Sequence, residues 1–362
     1  MTTSFRRVFL DRDFIEDKDG FMYCVVGYVH PPNRVLAYLK YVPSNKENIR
    51  TIWFRGGIRY NRVLEYYSSV AVAESFKILE KTKPHYIYYD EVFNIKFIGI
   101  PLSEIGKHYL PEARLKEIVE QGTSDALERD LVELTEFLCN ESGIKLNYFG
   151  ISGSILLRIH NPKYSDMDLT IYGIRESWKL LEIIKDITEK QNIIALPSED
   201  VLKKWAFEVS KHHPLTPKEA FRMYVEKRTR LMYKGCRIFS LHPILLPHEI
   251  SEKYGDRVYL PKGLAKIRGR VVENKLSIFL PGTYAIDDVE VIEGAKKYCE
   301  IREVVTFEGL YSGLLDLDEE FIAYGKVEEV YDKVGEKKFL RLVIGSAEAK
   351  GRDYIKPLRW LR

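Results

Sequence analysis

The chain is poor in sulfur, with four cysteines and five methionines in 362 residues. Cys24, Cys139, Cys236 and Cys299 lie far apart, which excludes a paired zinc-ligand pattern and a disulfide framework, so they read as reduced core thiols. No apolar run reaches the roughly 18 residues that a membrane helix needs, so no membrane span is expected. The opening Met1 to Arg7 lacks the apolar core of a signal peptide, and the expected compartment is the cytoplasm. A net charge of only +3 excludes a global pull toward nucleic acid, so any basic patch must be local. Internal repeats and low-complexity tracts are also lacking. What is present is the composition of a soluble globular protein, 45% apolar and 30% charged, in a chain long enough for two or three domains.

Three zones follow from the patterning, and together they predict a multi-domain α/β (α+β) protein. Residues 1–110 read as a mixed α/β domain. Its strand candidates are Arg7–Phe14, Phe21–His30, Arg34–Val42, His85–Tyr89 and Ile95–Ile100, with helical stretches in Arg62–Lys81. His30 before Pro31-Pro32 marks a turn and reads as structural, with ligand contact as the alternative. Arg55-Gly56-Gly57 and Arg59 to Arg62 form a basic loop, read as solvated or as a phosphate contact. Residues 111–250 form the second zone. A helical run over 111–140 leads through a strand at Leu146–Phe149 to a glycine-serine turn, and a helix follows over Glu176–Lys190. Two further helices, Ser198–Trp205 and Pro217–Met232, precede a strand at Cys236–Ile244. The adjacent His212 and His213 point apart on most backbones, so a shared metal is not expected there.

From residue 258 to 362 the period shortens. Strand candidates at Ala265–Val272, Ser277–Leu280, Val289–Ile292, Val304–Phe307, Phe321–Glu328 and Phe339–Ile344 predict a β-rich, barrel-like domain. Tyr284, Tyr298, Tyr311 and Tyr324 are either buried aromatics or stacking surfaces.

Chemistry concentrates in Gly150–Gly173, GISGSILLRIHNPKYSDMDLTIYG. Alternation along a strand turns Asp166 and Asp168 to one face and Met167 to the other. Two adjacent carboxylates resist joint ionisation, and a hard divalent cation removes that conflict. Mg²⁺ is usually held by one or two carboxylates together with substrate phosphates. Gly153 and Ser154, the latter twelve positions before Asp166, offer close backbone approach and a hydroxyl to such phosphates. The plainer alternatives are an N-cap for Ser154 and loop-capping for the aspartates.

The order glycine-serine, intervening run, Asp-apolar-Asp-apolar resembles the signature of the DNA polymerase beta nucleotidyltransferase superfamily. The residues that carry the resemblance are Gly153, Ser154, Asp166, Met167, Asp168 and Leu169. The whole chain also resembles a group of archaeal predicted nucleotidyltransferases, through His30-Pro31-Pro32 to Lys40-Tyr41-Val42-Pro43 and from Lys266-Ile267-Arg268-Gly269 onward. The resemblance implies that residues 111–250 are a nucleotidyltransferase domain. It implies that Gly153 and Ser154 hold the phosphates of a nucleoside triphosphate (NTP) such as ATP. It further implies that Asp166 and Asp168 are catalytic and bind Mg²⁺ or Mn²⁺.

Arg228 and Arg230, read as helical, either form a solvated face or bind nucleotide phosphates. One departure from the superfamily pattern stands out. Many members carry a third acid on the strand read here as Cys236–Ile244. In this chain the alternating faces hold Arg237, Phe239 and Leu241 or Ile238, Ser240 and His242. The third ligand is then Ser240, His242, a distant acid, or absent. The expected activity is transfer of a nucleoside monophosphate to an acceptor hydroxyl, on RNA, protein or a small molecule. The rival is a catalytically inactive nucleotide- or RNA-binding protein that keeps the fold.

Overall fold

The computed structural model describes residues 8–44, 51–64, 69–190 and 193–361. Arg7, where the first expected strand began, and residues 65–68 of the expected Arg62–Lys81 helical stretch lie outside the described residues. The architecture is α+β, with three sheets that follow one another along the chain and seven α-helices among the described residues. No helix among the described residues is long and apolar enough to cross a membrane.

The first sheet has eight strands between Phe14 and Tyr109. Its longest strand, Arg34–Ser44, pairs with Met22–Val25 on one side and with Ile58–Arg62 and Ile95–Pro101 on the other. The expected Arg7–Phe14 strand is instead a pinned turn over 10–13, and pairing begins only at Phe14. Asp13 causes this, because its carboxylate accepts the Leu10 N–H at 3.0 Å and folds the chain back. His30 is structural. Its ring nitrogens meet the Phe9 carbonyl at 3.2 Å and the Leu36 N–H at 3.3 Å. Arg55 is held within the sheet rather than standing in a solvated loop. Its Nη2 donates to both Glu16 carboxylate oxygens, at 2.8 and 2.9 Å, and its Nη1 donates to the Tyr109 hydroxyl at 2.6 Å.

The helical run expected over 111–140 is two helices, Pro111–Gln121 and Ala126–Ser142. Gly122 ends the first at φ +93, and the Asp125 carboxylate caps the second by accepting from the Leu127 and Glu128 N–H groups. The central sheet runs Ile194–Ala195, Arg230–Tyr233, Arg237–Ile244, Met167–Tyr172, Phe149–Ile151 in spatial order. Leu146–Tyr148, expected as strand, is one 3₁₀ turn, and pairing starts at Phe149. Helix Ile174–Lys190 covers the sheet with Leu180, Ile184 and Ile187.

In the third sheet the strands Arg257–Glu273, Gly282–Glu293, Ile301–Thr306, Lys337–Ile344 and Glu320–Asp332 pair in succession. The last of them also pairs with the first, so five strands return on themselves, and Tyr354–Pro357 adds at one edge. Ser277–Leu280 is not a strand. It is a tight turn whose Ile278 and Phe279 pack against Tyr28 and Trp178. Tyr284, Tyr298 and Tyr311 are buried in the barrel core, and Tyr324 packs on Tyr354 with ring centres 6.4 Å apart. Helices Glu199–His212 and Pro217–Lys227 also join this core, through Ala206, Ala220 and Met223.

Each pair of sheets shares a seam. The Ser152 hydroxyl donates to the Arg12 carbonyl at 2.9 Å, tying the second sheet to the first. The Asn94 amide donates to the Tyr259 carbonyl at 2.8 Å, tying the first to the third. The Lys227 ammonium donates to the Leu310 carbonyl at 2.7 Å, tying the second to the third. A cleft of about 2560 Å³ lies between the three and is lined from all of them, for example by Lys40, Asp168 and Thr283.

Candidate active site

The strand Met167–Tyr172 carries the centre of the site. It runs parallel to Arg237–Ile244, with Asp168 opposite Ser240, and antiparallel to Phe149–Ile151, with Leu169 opposite Ile151. Met167, Leu169 and Ile171 are fully buried in the core of the central sheet. Alternation then sends Asp168 to the other face, and Asp166 stands just before the strand, both lining the cleft.

The two carboxyls titrate in opposite directions. Asp166 is raised above the usual carboxylate range, first by the Asp168 charge and next by burial, with Arg230 and Lys40 opposing. Burial alone would raise Asp168 too. His242, Lys40 and Arg12 outweigh it and hold that carboxyl well below its usual range. The pair therefore already shows the repulsion that a bound cation would relieve.

The glycine-serine turn is in contact with this pair. Gly153 sits at φ +64, and a β-carbon there would stand 2.1 Å from Asp168 Oδ2. Only a residue without a side chain lets the turn lie on the carboxylate. The Ser152 N–H donates to the Asp168 carbonyl at 2.8 Å, and Ser154 is buried beside it. The intervening run opens with a helix of only four residues, Gly153–Leu156. Arg158 turns left-handed at φ +55 and breaks it, and Leu156, Leu157 and Ile159 bury into a core shared with Phe14 and Tyr41 of the first sheet.

Of the two arginines, the structure brings Arg230 to the aspartates and turns Arg228 away. Helix Pro217–Lys227 ends at Arg228, left-handed at φ +49, and Arg230 opens the next strand rather than extending the helix to Met232. Arg228 Nη1 donates to the Lys185 carbonyl at 2.9 Å and the Thr188 hydroxyl at 2.8 Å. Arg230 Nη2 lies 3.7 Å from Asp166 Oδ2, and its guanidinium covers the Trp205 ring at 4.2 Å.

Opposite Asp168, where a third acid was sought, stand Ser240 and His242. His242 Nε2 is 3.4 Å from Asp168 Oδ1, and burial first, then the Arg12 charge, push its imidazole below the usual range. Among the described residues no group of three or more His, Cys, Asp or Glu side chains converges to hold a metal. Asp166 and Asp168 could hold one hard cation that completes its coordination with phosphate oxygens and water. A second ion has no third acid here.

Two further cations, Lys40 on the first sheet and Arg12 in the turn before it, line the same cleft, and sequence reasoning missed both. Lys40 is 5% exposed, with its ammonium 5.1 Å from the Phe14 ring centre. A single lysine inside the apolar strand Arg34–Ser44 was the available signal. Arg12 gave no signal, because only the fold brings residue 12 beside residue 152.

No family model matches the chain, and no solved structure matches it. The uncharacterized protein MJ1086 of the archaeon Methanocaldococcus jannaschii is 33% identical over 352 residues, which span 95% of this chain and 98% of the relative. Identity at that level along almost the whole of both chains means that this chain belongs to the same family as MJ1086.

Proposed function

We propose that the chain is a Mg²⁺-dependent nucleotidyltransferase of the DNA polymerase beta kind, with residues 111–250 as its catalytic domain. The observation that carries the reading is the contact between Gly153 and the Asp168 carboxylate, which sets a phosphate-binding turn against a carboxylate pair. In this reading an acceptor hydroxyl oxygen attacks the α-phosphorus of an NTP, the bond to the bridging oxygen breaks, and pyrophosphate leaves. Gly153 and Ser154 orient the β- and γ-phosphates, and Arg230 adds a guanidinium to them. Asp166 and Asp168 would hold Mg²⁺ or Mn²⁺, which supplies charge neutralisation and acidifies the acceptor hydroxyl. The acceptor is an RNA 3′ end, a protein hydroxyl or a small molecule, and the proposed compartment is the cytoplasm.

Incubation with each α-labelled NTP, Mg²⁺ or Mn²⁺, and pooled RNA or cell extract tests the reading. Label transfer that disappears in Asp166→Asn and Asp168→Asn supports it, and equal transfer by both variants removes it. A second reading, a nucleotide- or RNA-binding protein without turnover, is favoured by Ser240 and His242 standing where an acid was sought. Nucleotide binding without transfer would select it.

A further inference from the structure

We propose that the first sheet and the turn that leads into it supply part of a polyphosphate-binding site, with Arg12 and Lys40 as its cations in the cleft that also holds Asp166 and Asp168. This deepens the nucleotidyl-transfer reading, because it names residues that would hold that substrate's phosphates. Polyphosphate binding is nevertheless measurable without any transfer.

Arg12 occupies left-handed backbone at φ +67, which a residue with a β-carbon adopts only under strain. Its turn is held from several sides. The Arg12 N–H donates to the Val25 carbonyl at 3.2 Å, the Asp13 N–H to the Leu10 carbonyl at 3.1 Å, and the Gly27 N–H to Asp11 Oδ1 at 3.0 Å. Glycine would fill position 12 with less strain. An arginine held there by its surroundings points to a use for its side chain.

The position suits that use. The Arg12 carbonyl accepts the Ser152 hydroxyl at 2.9 Å, and Ser152 in turn donates its N–H to the Asp168 carbonyl at 2.8 Å. The guanidinium lies 3.4 Å from Asp11 Oδ2, and its Nη2 is 4.0 Å from where a β-carbon on Gly309 of the barrel would stand. Arg12 therefore reaches into the cleft where all three sheets meet.

Lys40 approaches from the neighbouring part of the same wall. Its ammonium lies over Phe14, which packs in one core with Leu156 and Leu157 just after the glycine-serine turn. Both residues line the cleft that also holds Gly153, Ser154, Asp166 and Asp168. Arginine contributes a planar fork and lysine a point charge, the two complementary means of holding phosphate oxygens.

The test is calorimetric titration of the full chain with inorganic tripolyphosphate, without divalent cations. It compares the parent protein with Arg12→Gly, Lys40→Met and Arg268→Gln. Arg12→Gly keeps the left-handed backbone and removes only the side chain. Arg268, paired with Glu320 on the barrel, is a remote control. Thermal unfolding reports whether each variant is folded, and if Lys40→Met is not, Arg12→Gly carries the test alone. The expected result is binding weakened roughly ten- to hundredfold in Arg12→Gly and Lys40→Met and unchanged in Arg268→Gln. A parent protein that does not bind tripolyphosphate overturns the proposal, as do folded variants that bind as the parent does. Binding that depends on Arg12 and Lys40, without label transfer from any NTP, supports the proposal and removes the transfer reading. Transfer with an NTP KM unchanged in both variants overturns the proposal and leaves the transfer reading standing.

Discussion

Gly153 and Asp168 compete for one volume: a β-carbon on the glycine would stand 2.1 Å from a carboxylate oxygen and 3.1 Å from its carbon. Gly153→Ala must therefore displace Asp168 while also straining a backbone at φ +64. The expected loss of stability is about 1–3 kcal/mol, measured by denaturant unfolding. Loss of transfer should accompany it, and an alanine variant with parental activity would show that the contact is dispensable.

The raised Asp166 carboxyl gives a second prediction. Its first cause is the charge on Asp168, so Asp168→Asn should return Asp166 toward the ordinary carboxylate range. Carboxyl-carbon NMR titration of the two proteins measures this. An Asp166 that titrates alike in both would mean that burial, not its neighbour, sets its proton affinity.

Asp11 predicts a pH dependence of stability. Burial, the largest cause, raises its carboxyl from 3.8 to about 6, against the lowering effect of Arg12. The folded protein then binds more protons than the unfolded chain between those values. The contribution of this group is greatest below pH 3.8 and is lost as pH rises through about 6. The shift of about two units corresponds to about 3 kcal/mol. Asp11→Asn keeps an acceptor for the Gly27 N–H and should flatten unfolding free energy across that window. Unchanged curvature would assign the dependence to other groups.

The Arg55–Glu16 pair clamps a hairpin of the first sheet through Nη2, while Nη1 donates to the Tyr109 hydroxyl and meets the Leu157 carbonyl at 3.3 Å. Arg55→Met leaves a half-buried carboxylate unpaired and should cost about 3 kcal/mol in unfolding free energy. Arg55→Lys restores the charge but not the second nitrogen that serves Tyr109 and Leu157, so it should recover only part of that loss.

The legible parts were local ones. Asp-Met-Asp ahead of Leu169 and Ile171 has the period of a half-buried strand, and Met167 does point into the core. The face shared by Ser240 and His242 followed from the same alternation, and His242 does approach Asp168. What escaped was decided by distant contacts or by unannounced turns. Leu231 and Met232 continue an apolar pattern, and neither glycine nor proline marks the left-handed Arg228 that stops the helix. The run after Ser154 is buried on several sides because two sheets meet around it, which no local pattern announces. Lys40 belongs to another sheet and Arg12 to the turn before it, and local periodicity carries no information about which sheet will face which.

Three bodies joined in a circle move differently from three beads on a string. The contacts Arg12–Ser152, Asn94–Tyr259 and Lys227–Leu310 link the sheets pairwise into a closed circuit. Swinging any one sheet outward about one seam must rupture another. The cleft is thus braced from three sides, and its walls cannot part at one seam without loading the other two.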